Sequence, residues 1–145
     1  MITELEIQNF KCFQEPTSFE LSKVNLLTGI NGRGKSSLLQ VFVILAQSAW
    51  KDPTLKHLVI NGALMNLGDF DDIKNSNTPR RENIQFNFKL MSPTTKINEF
   101  RIEFAEKYEE PLLAGLDKVE ITSVDVGEES SNVEQFSELV KRVLS

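Results

Sequence analysis

The chain has 145 residues, 40% of them hydrophobic and 26% charged, with a net charge of −5. That length and balance fit one globular domain, or part of one, and argue against disorder or a fibrous repeat. The charge is uneven: residues 1–90 hold 10 basic against 9 acidic side chains, and residues 91–145 hold 6 against 12. Blanket electrostatic attraction to nucleic acid is therefore not indicated. Cys12 is the single cysteine, which excludes an internal disulfide and a thiol-rich metal site. The N-terminus lacks the basic start and apolar run of a signal peptide, and the longest apolar stretch, Val41 to Ala46, is far short of a membrane span. A soluble, cytoplasmic protein is the expectation.

Residues 2–10 alternate Thr3, Leu5 and Ile7 with Glu4 and Glu6, the period of a half-buried strand. Residues 17–22 predict a second short strand, with Phe19 and Leu21 on one face. Val24 to Thr28 then predicts a more buried strand that runs directly into Gly29. Ser36 to Ser48 contains no Gly or Pro, and Leu38, Leu39, Phe42, Val43, Leu45 and Ala46 fit a helix buried on most sides. Pro53 closes this unit. Residues 50–82 read as irregular, with an Asn61-Gly62 turn and a polar run from Asp69 to Arg81.

From residue 83 the pattern changes. Ile84, Phe86, Phe88 and Leu90 alternate with polar residues, as do Phe100, Ile102 and Phe104, and Val119, Ile121 and Val124 continue the style. One-sided strands in series with no helix between them predict an antiparallel meander. Ser131 to Glu134 is a capping-box pattern, and Val133, Phe136, Leu139, Val140 and Val143 recur at helical spacing, which predicts a C-terminal amphipathic helix. The expected α/β organisation is one lobe over 1–145. Residues 1–60 form a phosphate-loop strand–turn–helix part, 61–130 a loop plus antiparallel β subdomain, and 131–145 the helix.

Residues 29–36, Gly-Ile-Asn-Gly-Arg-Gly-Lys-Ser, match G-x-x-x-x-G-K-[ST], the phosphate-binding loop or Walker A motif. Glycines admit the backbone conformations the turn needs and let it approach a phosphate closely. The loop amides, Gly29, Ile30, Asn31, Gly32, Arg33, Gly34, Lys35, Ser36 and Ser37, then form the nucleotide cradle, reinforced by the positive end of the helix that follows. Lys35 is the residue that reaches the β- and γ-phosphates, and the Ser36 hydroxyl is the expected Mg²⁺ ligand. ATP and Mg²⁺ are the implied cofactors.

The run ELEIQNFKCF, a strand, and LLTGINGRGKSSLLQ together resemble the start of the SMC/RecF-like ABC-type ATPases, which include AAA family ATPases of bacteria. The resemblance is specific over residues 2–49, and the Asn61 to Asp72 segment extends it. It implies the N-terminal portion of an ABC-type head, a basic residue near the nucleotide at Lys11, and DNA as a partner class. Such heads also need a signature loop, a Walker B Asp-Glu pair and a switch His. None is found: Val119 to Asp125 is interrupted by Glu120, Thr122 and Ser123, no Glu follows Asp125, and Gln47 comes too early for the usual Gln loop. The resemblance thus implies a site completed by a missing C-terminal half or a partner polypeptide, with a head-to-head homodimer among the assemblies it allows. The alternatives are a self-contained small NTPase or kinase with Asp125 as its Walker B carboxylate, or a non-catalytic module stabilised by nucleotide.

Bland readings are expected elsewhere. Arg33 reads as solvent-facing, and His57 as a surface or boundary residue without a partner. Asp69, Asp71 and Asp72 read as a solvated acidic turn rather than a metal site. Cys12 reads as a small buried residue, and Trp50 with the Phe residues as core packing.

Overall fold

The apolar alternation of residues 2–8, 84–90 and 97–106 builds a single sheet. The computed structural model describes residues 1–30, 32–91, 97–107, 109 and 113–123. Its strands are β1 (Ile2–Gln8), β2 (Thr17–Glu20), β3 (His57–Val59), β4 (Ile84–Leu90), β5 (Ile97–Glu106) and β6 (Leu113–Ser123). Helix α1 spans Lys35–Lys51, and the one-turn α2 spans Phe70–Ile73. The sheet order is β2-β1-β4-β5-β6-β3, and every neighbouring pair is antiparallel. The β4-β5-β6 meander is as the alternation predicts, and it is continuous with the N-terminal hairpin.

The register explains why the sheet has one apolar face. Phe19, Leu5, Phe88 and Phe100 lie opposite one another across four strands, and Ile7, Phe86, Ile102 and Val119 form the next row. A strand's side chains alternate between faces, so the residues between these positions are polar and point away. There Glu4 and Lys89 pair at 2.8 Å. The apolar rows bury themselves against Leu38, Val41, Ile44 and Leu45 of α1. Aromatic contacts fix the packing: Phe10 meets Phe86 edge-on at 5.5 Å, and Phe88 stacks on Phe100 at 4.7 Å.

The end of α1 is pinned by polar side chains. Gln47, 4% exposed, donates from Nε2 to the Val59 carbonyl at 2.6 Å and accepts from the Met65 N–H at 3.1 Å. The Ser48 hydroxyl accepts the Val59 N–H at 2.7 Å. This clasp places β3 beside the helix, inside the stretch read as irregular. It also gives Gln47 a packing role. The acidic run resolves as a helix cap: Asp69 accepts the Asp72 N–H, and Asp72 accepts the Asp69 N–H. Among the described residues no group of three or more His, Cys, Asp or Glu side chains is placed to hold a metal ion.

Several expectations are corrected. Val24 to Thr28 is not a strand here and is exposed, with Val24 and Leu26 each 86% accessible. An apolar strand is buried only where a neighbour pairs its backbone, and among the described residues no backbone hydrogen bond joins this segment to another strand. Trp50 is 71% exposed and Leu39 56%, so α1 buries one face rather than most of its surface. Cys12 is exposed rather than buried. His57, expected to have no partner, lies on β3 with its Nε2 3.0 Å from Lys107 Nζ. The C-terminal amphipathic helix, Asp125, Val124 and Asn31 lie outside the described residues.

Candidate nucleotide-binding site

The loop of residues 29–34 enters α1 through three glycines with positive φ: Gly29 at 132°, Gly32 at 84° and Gly34 at 93°. L-residues with side chains resist these angles, which is why the motif spends glycine there. At Gly29 and Gly32 a Cβ would meet nothing within 4 Å, so those backbones face open space. At Gly34 a Cβ would fall 2.6 Å from the Phe13 ring and 3.1 Å from Cys12 Sγ. The last glycine is therefore also a close-packing requirement.

Gly34 is the N-cap of helix α1, and its carbonyl accepts the Leu38 N–H at 2.9 Å. No side chain caps this end, and its first turn carries no acidic residue. The leading amides and the positive end of the helix are thus left for an external anion. Lys35 folds back over the loop: its ammonium donates to the Gly29 carbonyl, and to that of Ile30 at 3.0 Å. Such neutral acceptors hold a cation that an anion would compete for. Ser36 and Arg33 are exposed at the loop, and Ile30 is 70% exposed. Ser37 lies half-buried behind them, with its hydroxyl 3.8 Å from Cys12 Sγ. The residues present fit a phosphate group: open glycine backbone, an uncapped helix start, one lysine and one free hydroxyl.

Lys11 is delivered to this neighbourhood by an unusual turn. Asn9 and Lys11 both have left-handed backbones, φ 61° and 51°. Phe10 and Phe13 exchange backbone hydrogen bonds at 3.0 and 2.9 Å, so residues 10–13 form a tight hairpin. The Lys11 ammonium makes no hydrogen bond with the phosphate loop among the described residues. Sequence reasoning missed the contacts of Cys12 and Phe13 with Gly34 and Ser37. No local pattern announces them, because they join segments far apart in the chain.

The same turn is gripped from behind by the residues after α2. Lys74 there donates to the Pro79 and Arg80 carbonyls at 2.9 and 3.1 Å. Burial lowers its basicity, partly offset by Glu106, Asp71 and Glu82.

Beside the loop, residues 22–30 are all exposed. An open groove of about 880 Å³ runs between them, the end of β2 and α1, lined by Phe19, Leu21, Val24, Leu26, Leu39 and Phe42. Among the described residues no helix is long and apolar enough to cross a membrane.

No curated protein matches the sequence. The family model described as AAA ATPase domain matches residues 1–142. That match takes in the glycine-rich loop, α1, the clasp around β3 and all six described strands, and the chain belongs to the AAA ATPase domain family.

Proposed function

We propose that the chain is the Mg²⁺–ATP-binding N-terminal lobe of an SMC/RecF-like ABC-type ATPase head, working in the cytoplasm. The observation that carries this reading is the Gly29–Ser36 loop. Its open glycine backbone leads into an uncapped helix, with Lys35 parked on the loop's own carbonyls. On nucleotide binding the Lys35 ammonium exchanges those carbonyls for phosphate oxygens, and the loop amides of residues 30–37 cradle the same group. The Ser36 hydroxyl holds Mg²⁺, which when bound neutralises phosphate charge. Lys11 and Arg33 lie at the margin of the cradle.

Hydrolysis needs a water-activating carboxylate and a signature loop, and the sequence carries neither a Walker B Asp-Glu pair nor a signature motif. The reading therefore includes a further polypeptide segment, from additional chain or a partner, that supplies them. The exposed Val24–Thr28 backbone with its apolar side chains is the edge at which such a segment pairs as a strand, covering the groove beside α1. The antiparallel order of the six strands gives no support to a self-contained NTPase built on a parallel sheet.

The test is Mg²⁺–ATP binding and turnover by the 145-residue chain, with Lys35→Ala as control. Binding without turnover, weakened at least about tenfold by Lys35→Ala with an unchanged circular dichroism spectrum, is the expected result. Steady turnover lost in both Lys35→Ala and Asp125→Ala would favour the self-contained enzyme. Absence of binding would overturn the reading.

A further inference from the structure

The glycine-rich loop has a support that the motif does not mention. The turn of residues 9–13 touches it on one side, through the Phe13 ring against Gly34 and Cys12 Sγ at 3.8 Å from the Ser37 hydroxyl. On the other side the turn is clamped by residues 73–78. The Lys11 N–H donates to the Ile73 carbonyl at 2.7 Å, and the Asn75 N–H donates to the Asn9 carbonyl at 3.0 Å. The Asn75 side chain closes the clamp, donating from Nδ2 to the Lys11 carbonyl at 2.6 Å while its Oδ1 accepts the Asn77 N–H at 3.0 Å. The Thr78 hydroxyl donates to Asn9 Oδ1 at 3.0 Å, and Asn9 Nδ2 donates to the Asn83 carbonyl at 2.8 Å. Asn9 is 2% and Asn75 8% exposed, so water cannot readily replace these partners.

The turn needs such a clamp. Asn9 and Lys11 both hold left-handed backbones without being glycine, conformations that persist only where the surroundings enforce them. We infer that Asn75 is a positioning residue of the nucleotide site, holding the 9–13 turn so that Phe13 and Cys12 fix Gly34, Ser37 and the phosphate loop in its binding shape. The inference rests on the proposed nucleotide site. It adds a residue outside the motif, joined to it by one relay: Asn75 to the Lys11 carbonyl, the turn, and Gly34. Asn75 touches no nucleotide and takes no part in chemistry.

Asn75→Asp tests it with little change of shape. The carboxylate keeps the acceptor for the Asn77 N–H and sets an oxygen against the Lys11 carbonyl in place of the donor. Thr78→Val is the milder second variant, removing the hydroxyl that holds Asn9, in case Asn75→Asp fails to fold. Cys12, the single cysteine, is exposed at the tip of the turn, so its reaction rate with an aromatic disulfide reagent reads the position of the turn without nucleotide. Mg²⁺–ATP affinity is measured on the same proteins. Val119→Ala, in β6 and away from the turn, serves as a control for lost stability.

Asn75→Asp is expected to change the Cys12 rate about fivefold and weaken Mg²⁺–ATP about tenfold per folded molecule, Thr78→Val to act in the same direction, and Val119→Ala to move neither. Cys12 rates and affinities within about twofold of the parent in both clamp variants would overturn the inference, as would equal changes in Val119→Ala. A parent chain that binds no Mg²⁺–ATP overturns the proposed function instead. The Cys12 rates then still decide whether the clamp holds the turn.

Discussion

At the scale of single residues, backbone conformation and partner geometry set the consequences. Gly34 combines a φ of 93° with a Cβ position 2.6 Å from the Phe13 ring. Gly34→Ala is therefore expected to destabilise the chain by about 2 kcal/mol or more in urea unfolding. Gly32 has a similar φ but open space around it, so Gly32→Ala is expected to cost less. Asp52 gives a pH-dependent case. The Thr54 hydroxyl, at 2.6 Å, and then the Thr54 N–H hold its carboxyl below the usual value of 3.8. Because the folded pKa is the lower one, its contribution is fully present above pH 3.8 and is lost as the pH falls through the folded value. Urea midpoints of parent and Asp52→Asn are expected to differ at neutral pH and to converge as the pH falls below 3.8 and through the folded value.

At the scale of elements, the sheet and α1 are held by different means. The sheet buries rows of aromatic and branched side chains. The end of α1 is held by the Gln47 and Ser48 bonds to β3 and to the 60–66 turn. Gln47→Leu keeps the volume but leaves a buried carbonyl and N–H without partners. It is expected to cost about 1–3 kcal/mol by chemical denaturation. The elements also show how far local pattern carries. Period-two alternation located β1, β4 and β5, because their faces differ in polarity and nothing else has that period. β3, three residues long, is too short for any period, and its pairing partner Leu113–Gly115 lies far along the chain. Asp69 and Asp72 carried a capping signal, but the short helix behind it hid its meaning.

At the scale of the whole molecule, one side is finished and one is open. The polar face of the sheet meets water with ion pairs such as Glu4–Lys89. The groove beside the glycine-rich loop instead presents Val24 and Leu26 at 86% exposure. An apolar segment that no described strand covers invites association. Leu26→Asp is expected to shift the stability of the isolated chain by no more than about 0.5 kcal/mol, since the side chain is already in water. It is also expected to reduce self-association measured by light scattering.

The sequence by itself determined the glycine-lysine-serine loop, the helix behind it and the meander, because a phosphate cradle and a two-faced strand each need particular residues at short, fixed spacing. It also indicated that 24–28 wants burial. Only the tertiary structure decided that no described strand covers that segment, that Trp50 and Cys12 face solvent, and that Asn9, Asn75 and Thr78 lock the turn beneath Gly34. Those facts depend on which distant segments meet, and burial and hydrogen bonding across a fold leave no period in the chain to read.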